Sequence, residues 1–387
     1  MKNIHNKYVK RKIEKVLIEY LNYFSIIGLT GPRQSGKSTM LKACLPDYQY
    51  ITFDDYKVKE LFYSDRDKFI SIYDNKVIFD EVHHVPELFD LVKLAVDQDR
   101  SIKGRFILTS SAQFKMMRNI SESLAGRIGL LTLLPFSFQE IEKLGIVEIE
   151  FKGNYPELIM SNYKYSDKWY SSYIETYLQK DIKLLSNIGD LYDFSRLISL
   201  LAARSSQQLN MSNLSKELGV AVSTIKRWIS ILEATYVIFL LQPYYDNLGK
   251  RVVKSPKCYF YDTGLVAYLT GIETSKMYNN GPMAGSIFEN YVISEIYKKI
   301  KHQDLPYKLY FFRTNHGEEI DLIVDKKHTK DIIEIKKNMT FKLNMIKTVE
   351  KYLKENDNGF LLYNGAKFPY VKNMEIINYK EYLSRDY

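Results

Sequence analysis

The chain has 387 residues, of which 45% are hydrophobic and 26% charged, a balance typical of a globular protein with two or three domains. Its apolar runs are far shorter than the roughly 20 residues of a membrane-spanning helix, and its two cysteines, Cys44 and Cys258, stand far apart, which excludes a disulfide framework or a cysteine zinc site. The net charge of +9 permits a polyanionic partner without requiring one.

The N-terminal segment is basic, and its apolar residues recur at helical spacing. Because no uninterrupted apolar core follows the charged residues, we do not expect a signal peptide. The sequence therefore predicts a first helix over about residues 8–23 and a cytoplasmic protein without a membrane partner.

Short β-rich runs follow, and each is separated from the next by enough chain for a helix. The runs are SIIGLT, YQYITFDD, KVIFDE, RFILTSS and GLLTLLPFS. Nearly continuous apolar strands that alternate with helices are typical of a parallel sheet covered on both faces. We therefore predict an α/β domain over residues 1–145, followed by a helical lid or connector over residues 146–192.

The first predicted strand leads into a phosphate-binding loop of the form G-x-x-x-x-G-K-[ST]. The loop opens the predicted helix KSTMLKAC, so backbone N–H groups at the helix N-terminus can surround phosphates. Lys37 is expected to reach the β- and γ-phosphates of ATP, and Ser38 to bind Mg²⁺. The predicted ATP-binding residues are Gly31, Pro32, Arg33, Gln34, Ser35, Gly36, Lys37, Ser38 and Thr39.

The second half of such a site is a hydrophobic strand that ends in acids, and KVIFDEV supplies it. Asp80 is predicted to hold Mg²⁺ through water, and Glu81 to polarise the water that attacks the γ-phosphate. Both halves occur in the expected order, which favours an ATP hydrolase over a chance glycine-rich turn. His83 and His84 are interpreted as structural, because adjacent residues on a strand point to opposite faces.

Two further positions complete the predicted ATP site. The strand RFILTSS ends in hydroxyl groups, and Ser111 among them is a candidate sensor of the γ-phosphate. Arg127 in SESLAGR is a candidate arginine finger that would act in a neighbouring subunit, which requires a homo-oligomer. The alternative for Arg127 is an ordinary surface ion pair.

The runs NMSNLSKELGV and STIKRWISILEA predict a helix-turn-helix, with Gly219 at the turn, Ser223 as the N-cap and Trp228 facing the core. From Arg204 to Lys257 there are eight basic and three acidic residues, a net charge of +5. This charge favours DNA as a partner, and the alternative is a lid or a subunit contact. The predicted DNA-contacting residues are Ser223, Thr224, Lys226, Arg227, Lys250 and Arg251.

The order of motifs along the whole chain resembles a large group of prokaryotic AAA-type P-loop ATPases. The motifs are GPRQSGKST, FDEVHHVPE, ILTSS, SLAGR, LPFSFQE, YIETYLQKDI, LSKELGVAVSTIKRWISILEATYVI, KSPKCYFYDTGLVAYL, GSIFENYVISEI and GEEIDLIV with IEIK. The resemblance implies an ASCE/AAA-type P-loop ATPase core, a winged-helix segment over residues 193–280 and a PD-(D/E)xK restriction-endonuclease-like α/β domain over residues 281–387. Ser110 departs from the glycine usual in the family, which leaves Ser110 or Ser111 as the sensor.

In PD-(D/E)xK nucleases, an acid on one strand and E-x-K on the next converge on a divalent metal, and the preceding helix often adds an acid. The resemblance assigns the metal ligands to Glu289, Asp321 and Glu334, and a catalytic role to Asp321, Glu334 and Lys336. Residues i and i+2 on a strand face the same side, so Glu334 and Lys336 are expected to share a face. The spacing alone fits a charged hairpin with paired Lys and Glu equally well.

Three functions therefore stay open, all with ATP and Mg²⁺ as expected cofactors. The first is an ATP-hydrolysing enzyme that engages DNA and carries a metal-dependent nuclease or nuclease-derived domain, in genome defence or mobile-element biology. The second is an ATP-driven switch or scaffold whose C-terminal domain binds a partner without cleaving it. The third is a transcription-type regulator gated by ATP.

Overall fold

A computed structural model describes residues 8–111, 116–117, 119–178, 191–244, 255–369 and 371–386. These residues form two β-sheets with helices packed around them. No helix in these ranges is both long and apolar enough to cross a membrane.

Within the described residues, the first sheet has five parallel strands in the order β2-β3-β4-β1-β5. Its strands are β1 (Ile26–Thr30), β2 (Gln49–Thr52), β3 (Val77–Asp80), β4 (Phe106–Thr109) and β5 (Ile128–Thr132). The helices of this part are Ile13–Tyr23, Lys37–Cys44, Tyr56–Ser64, Arg66–Ile72 and Leu88–Gln98. Apolar clusters lie on both faces of the sheet, so the predicted parallel sheet with two covered faces is confirmed.

The strand order places the carboxyl ends of β1, β3 and β4 at one edge of the sheet. β1 lies beside β4 in the pairing of Ile27 with Ile107, and β3 lies on the other side of β4, where Ile78 pairs with the same residue. In parallel α/β sheets, ligands bind in the crevice outside the carboxyl ends of the strands. The loop after β1 and the acids that end β3 therefore meet at this edge.

Mostly short helices follow the first sheet. They are Phe138–Ile141, Ile149–Lys152, Pro156–Met160, Ser166–Ser172, Leu191–Ala203, Met211–Leu218, Val222–Ala234, Thr263–Leu269 and Ser275–Asn280. The predicted turn is present, because Gly219 ends Met211–Leu218 with a φ of 71°. The prediction of Ser223 as the N-cap is wrong. The helix begins one residue earlier, at Val222, and Ala221 has the extended conformation of the cap.

Within the described ranges, the second sheet has seven strands in the order β12-β11-β10-β9-β8-β6-β7. They are β6 (Ile238–Pro243), β7 (Lys257–Phe260), β8 (Lys308–Arg313), β9 (Glu319–Asp325), β10 (Lys330–Lys336), β11 (Asn358–Tyr363) and β12 (Met374–Asn378). β6 and β7 follow the two helices of the helix-turn-helix, and β6 pairs with β8 between Gln242 and Tyr310. The sheet therefore spans both sides of the predicted boundary at residue 280.

The long helix Ala284–His302 packs on one face of the second sheet. Its buried residues Phe288 and Ile296 belong to the same apolar cluster as Leu322 on β9 and Ile333 on β10. The helices Lys347–Tyr352 and Tyr379–Ser384 complete this part of the chain. The predicted strand pair is confirmed, since β9 and β10 are antiparallel neighbours.

Candidate functional site

The phosphate loop connects β1 to the helix Lys37–Cys44 at the carboxyl edge of the first sheet. Gly31 has a φ of 139°, and a Cβ at this position would lie 2.1 Å from the carbonyl oxygen of Leu133. Gly36 also has a left-handed φ, of 91°, which glycine adopts without strain. In the part of the chain that the structure describes, the buried Ser35 hydroxyl has no hydrogen-bond partner. The loop is thus a backbone cradle with one polar group left for a ligand.

Lys37 is buried inside this cradle. Its Nζ donates hydrogen bonds to the carbonyl oxygens of Gly31 and Pro32, both at 3.0 Å. These bonds hold the ammonium group beside the N-terminus of the helix, where the helix dipole and free N–H groups favour an anion. The arrangement fits the predicted role of Lys37 as a phosphate contact.

The two predicted Mg²⁺ ligands of this site lie side by side. The Ser38 hydroxyl donates to Oδ2 of Asp80 at 3.1 Å, and the Tyr50 hydroxyl on β2 donates to the same oxygen. Burial raises the pKa of Asp80, while the bond from Tyr50 acts to lower it. A hydroxyl and a carboxylate are oxygen ligands of the kind that Mg²⁺ prefers, so the residues fit the ion that the sequence predicts.

Glu81 directly follows β3, and its side chain contacts Ser111, just after the end of β4. Its Oε2 accepts hydrogen bonds from the N–H and the hydroxyl of Ser111, each at 2.9 Å, and lies 3.0 Å from Nδ1 of His83. Burial would raise the pKa of Glu81, but the contacts with His83 and Ser111 outweigh it and lower the pKa to about 2. The carboxylate is therefore ionised, and Oε2 is committed to these two residues.

His83 and His84 do not lie on a strand, as the sequence analysis assumed. They lie in a short 3₁₀ turn, Val82–His84, with their rings 4.1 Å apart, so the argument from alternating strand faces was wrong. His83 is half-buried against Glu81 and also lies 3.0 Å from the Ser110 hydroxyl. His84 is exposed and pairs with Asp54. The proximity of His83 to Glu81 in the sequence was the signal that could have identified this contact.

Arg127 lies far from the phosphate loop of its own chain. It forms an ion pair with Asp97, with its Nε at 2.9 Å and its Nη2 at 3.0 Å. It precedes β5, whose first residue, Ile128, pairs with Ile26 at the edge of the sheet opposite the loop. The ion pair that the sequence left as the alternative is therefore present, and a role of Arg127 as an arginine finger stays a prediction.

The second candidate site lies on β9 and β10. Nζ of Lys336 is 2.5 Å from Oε1 of Glu334 and 3.4 Å from Oδ2 of Asp321. Asp321 is further held by the backbone N–H of Ile335 at 2.8 Å. The structure therefore brings the strand acid and the E-x-K pair together, as the resemblance implied.

Glu289, the predicted helix ligand, is bound by other residues. Its Oε1 accepts from Nζ of Lys257 at 3.0 Å and from the Tyr259 hydroxyl at 2.7 Å. Burial raises the pKa of Glu289 to about 7, although the charge of Lys257 acts to lower it. Lys257 also pairs with Glu319. Its inclusion in the DNA-facing charge of the sequence analysis was therefore wrong, because it is only 2% exposed.

Only one carboxylate oxygen of Glu334, Oε1, is paired with Lys336. Burial, together with the neighbouring charge of Asp321, raises its pKa to about 8. The described residues offer no hydrogen-bond partner to its buried Oε2. Asp321 and Glu334 are therefore a fitting pair of oxygen ligands for a divalent ion. Across the described ranges, however, no three His, Cys, Asp or Glu side chains lie close enough to hold one metal ion, so the predicted three-acid set is not assembled.

The helix-turn-helix presents part of the predicted DNA contacts. Ser223, Lys226 and Arg227 are exposed on the second helix, and Thr224 is half-buried. Trp228 is buried against the helical core, as the sequence predicted. The remaining two predicted contacts, Lys250 and Arg251, lie outside the described residues.

Comparisons with known families divide the chain into three segments. Residues 23–142 match the AAA domain family. Residues 143–276 match a domain of unknown function (DUF8612), and residues 284–382 match another domain of unknown function (DUF4143).

Two bacterial proteins that are described as uncharacterized are similar to this chain. One from Mycobacterium tuberculosis is 29% identical over 317 residues, which is 81% of this chain and 71% of that protein. One from Haemophilus influenzae is 22% identical over 324 residues, covering 73% of this chain and 77% of that protein. Both relatives span most of the chain, beyond the AAA segment.

Solved structures with partial likeness include two ATP-related proteins. A Walker-type ATPase of Pyrococcus abyssi is 15% identical with a TM-score of 0.47, covering 69% of this chain and 99% of that one. AMPPCP-bound DnaA from Aquifex aeolicus is 15% identical with a TM-score of 0.29, covering 57% and 85%. Residues 23–142 therefore combine a match to the AAA domain family with a parallel sheet and a phosphate loop at its carboxyl edge.

Proposed function

We propose that the protein binds ATP with Mg²⁺ and hydrolyses it at the carboxyl edge of the first sheet. The observation that carries this proposal is the 3.1 Å contact between Ser38 and Asp80, with Lys37 buried in the same loop. This contact joins the two halves of a P-loop site, which stand more than 40 residues apart in the sequence.

The residues of the loop have distinct roles in this proposal. Lys37 neutralises charge on the phosphates, and Ser38 and Asp80 hold the Mg²⁺ ion. The bound ion supplies further neutralisation of the phosphate charge. Glu81 orients the attacking water and accepts its proton. Hydrogen bonds that lower the pKa of a carboxylate also make it a weaker base. Its bonds to Ser111 and His83 therefore hold it in a less active arrangement.

The substitution Lys37→Ala tests ATP binding and hydrolysis together. We expect loss of MgATP binding and of phosphate release, because the cradle loses its buried cation. Lys57→Ala, at an exposed position of the same domain, is the matched control and should behave as wild type. A Lys37→Ala variant that still hydrolyses ATP at the wild-type rate would refute the proposed site.

The proposal extends to DNA as the partner. The support is the exposed face formed by Ser223, Lys226 and Arg227 at the start of a second helix, the position from which helix-turn-helix proteins contact the major groove. The two strands that follow, β6 and β7, form an antiparallel ribbon, and this order of elements is what a winged-helix segment requires. The protein would then hydrolyse ATP while it is bound to DNA.

For the C-terminal site we propose metal-dependent cleavage of a phosphodiester. The support is the convergence of Asp321, Glu334 and Lys336, with one carboxylate oxygen buried without a hydrogen-bond partner. Asp321 and Glu334 would hold the ion, and Lys336 would orient the attacking water or neutralise the phosphate. The site is related in this proposal to PD-(D/E)xK nucleases.

A second function is favoured by the lysines around these acids. Lys257 and Lys336 already neutralise much of the acidic charge, and Glu289 is bound by Lys257 instead of standing free for a metal. A site compensated in this way would bind a partner without cutting it. The domain would then be a binding module in an ATP-driven switch, scaffold or regulator.

A DNA cleavage assay separates these two functions. The wild type is incubated with Mg²⁺ or Mn²⁺, with and without ATP, beside Asp321→Ala and the control Asp325→Ala at the end of the same strand. Cleavage by wild type and Asp325→Ala, lost in Asp321→Ala, supports the nuclease. Absence of cleavage by wild type under all four conditions favours the binding module.

A further inference from the structure

A buried arginine supports the phosphate loop from outside. Arg11 precedes the first helix and is only 3% exposed. Its Nη1 donates to the carbonyl oxygen of Ser35 at 2.8 Å, and its Nη2 donates to the carbonyl oxygen of Leu134 at 2.6 Å. Ser35 belongs to the phosphate loop, whereas Leu134 lies just after β5. One guanidinium group therefore connects the loop to the neighbouring edge of the sheet.

The peptide geometry gives this contact a consequence inside the loop. The carbonyl of Ser35 and the N–H of Gly36 belong to one planar trans peptide, so they point in opposite directions. When Arg11 holds the oxygen on its own side, the N–H of Gly36 is held on the opposite side. Backbone N–H groups are the phosphate-binding groups of such loops, so Arg11 controls the orientation of one of them without touching the nucleotide.

Arg11 is itself held by a buried carboxylate. Its Nε lies 3.2 Å from Oε1 of Glu140, and its guanidinium lies over the ring of Phe136 at 4.6 Å from the ring centre. Glu140 accepts the backbone N–H groups of Lys12 and Ser137, each at 2.7 Å. Arg11 and Glu140 therefore form a buried ion pair, in which the two backbone N–H groups also hold the acid.

The third member of the network comes from the C-terminal part of the chain. His302 ends the long helix Ala284–His302, and its Nε2 accepts the N–H of Leu134 at 3.1 Å. Because Nε2 is an acceptor, Nδ1 carries the proton, and Nδ1 faces Oε1 of Glu140 at 3.5 Å. The helix therefore contacts both the carboxylate that holds Arg11 and the segment whose carbonyl Arg11 binds.

We propose that Arg11 is a positioning residue for the phosphate loop, and that the C-terminal helix takes part in this positioning through His302 and Glu140. The proposal rests on the proposed ATP binding. It assigns to the C-terminal domain a share in the nucleotide site through contacts behind the loop. The affinity of the AAA domain for ATP then depends on the attachment of the C-terminal helix.

The variant Arg11→Lys tests the proposal in the full-length protein. Lysine keeps the positive charge beside Glu140 but lacks the fork that reaches two carbonyl oxygens at once. We expect the Kd for MgATP, measured by calorimetry, to rise about tenfold, the effect of losing one charge-assisted hydrogen bond at the loop. The conservative nature of the change favours retention of the fold.

The matched control is Arg105→Lys. Arg105 is also buried in the same domain and donates to the backbone carbonyls of Asp74 and Ala95, near the opposite edge of the sheet. The Arg105→Lys variant should lower the thermal stability about as much as Arg11→Lys does, but it should leave the Kd for MgATP unchanged. If Arg11→Lys lowers only the number of binding sites per molecule, with the same Kd, its role is merely structural and the proposal is overturned.

A second variant keeps the test independent of how Arg11→Lys folds. His302→Gln retains an acceptor for Leu134 but changes the contact with Glu140, and it should raise the Kd for MgATP about threefold. An unchanged Kd in folded His302→Gln would remove the C-terminal helix from the proposal. A wild type that does not bind MgATP refutes the proposed function instead. In that case, hydrogen exchange of residues 31–38 must still be faster in Arg11→Lys than in Arg105→Lys, or the positioning role fails as well.

Discussion

Lys257 changes the electrostatics of the C-terminal site at the scale of a single residue. Its burial disfavours the charged form, but Glu289 and Asp321 outweigh this effect and raise its pKa above the usual value for lysine. The side chain is therefore a permanent cation between the acids Glu289 and Glu319. It belongs to β7, so the ribbon after the helix-turn-helix contributes directly to the site.

The variant Lys257→Met should destabilise the folded protein strongly. Removal of the ammonium group leaves Glu289 and Glu319 without their shared cation, and breaking a buried pair in this way lowers the free energy of unfolding by about 3–5 kcal/mol. Urea denaturation at pH 7 measures the change. Lys276→Met, at an exposed position, should change it by less than about 0.5 kcal/mol. Equal effects of the two substitutions would show that the pairing of Lys257 does not stabilise the fold.

The residues of the ATP site were predictable to the extent that their roles are local. The loop, Asp80 and Glu81 follow from spacing, because a strand, a glycine-rich turn and a helix N-terminus form a contiguous unit. Tyr50 was not predictable, since its contact with Asp80 depends on β2 lying beside β3. Arg11 was missed for the same reason, because its partners are distant in the chain and only the assembled fold brings them together.

The short helix Phe138–Ile141 follows the first sheet and packs against the C-terminal part of the chain. At its start, the Glu140 side chain accepts the backbone N–H of Ser137 at 2.7 Å, which is one half of a capping box. Burial would raise the pKa of Glu140, but the charge of Arg11 and the contact with His302 lower it below the usual range. A short helix thus holds an ionised carboxylate at the interface.

The variant Glu140→Gln should destabilise the protein in a pH-dependent way. Because its folded-state pKa is lowered, the stabilisation by Glu140 is fully present above the unfolded pKa of about 4.3 and is lost as the pH falls towards the folded value. We expect a loss of about 3–5 kcal/mol at pH 7, with the difference from wild type shrinking below about pH 4. Denaturation at several pH values measures it, with exposed Glu142→Gln as control. A difference independent of pH would contradict the ion pair.

The second helix of the helix-turn-helix carries the prediction for DNA. If Lys226 and Arg227 each neutralise one phosphate, the double variant Lys226→Ala/Arg227→Ala should reduce the slope of log affinity against log salt by about 1.8. The exposed pair Lys164→Ala/Lys168→Ala on the connector serves as the control. Affinities measured over a salt series give the slopes. Equal slopes in both variants would exclude this helix as the DNA-binding face.

Element prediction worked best where the hydrophobic pattern was strong. The strands of the first sheet and the pair β9 and β10 agree with the sequence, because buried strands in a parallel sheet are nearly continuous apolar runs. The N-cap at Ser223 was wrong, since Ala221 provides the extended backbone and no side chain caps that helix. Helix starts are set by one backbone conformation, which the pattern of apolar residues does not specify.

At the scale of the whole molecule, the helix Ala284–His302 links the two candidate sites. Glu289 near its start contacts the acidic site, and His302 at its end contacts the network behind the phosphate loop. With a rise of about 1.5 Å per residue, these two positions are roughly 20 Å apart along one rigid element. The sequence predicted this helix, but not that its last residue packs against the AAA domain, because interdomain contacts leave no local pattern.

The second sheet also joins parts that the sequence separated. β6 and β7 lie within the segment expected to form a winged helix, yet they extend the sheet of the C-terminal domain. The helix-turn-helix and the acidic site are therefore joined by one continuous sheet. One hydrogen-bonded sheet crosses the boundary that the sequence predicted at residue 280. The division into separate domains stays a prediction.

We propose that the P-loop site hydrolyses ATP with Glu81 as the base. Phosphate release in a single turnover, measured with Glu81→Gln beside wild type, tests it most directly, with calorimetry to follow MgATP binding. We expect Glu81→Gln to bind MgATP as tightly as wild type but to release phosphate at least about a hundredfold more slowly. Phosphate release at the wild-type rate by the variant, or no release by wild type, would contradict it.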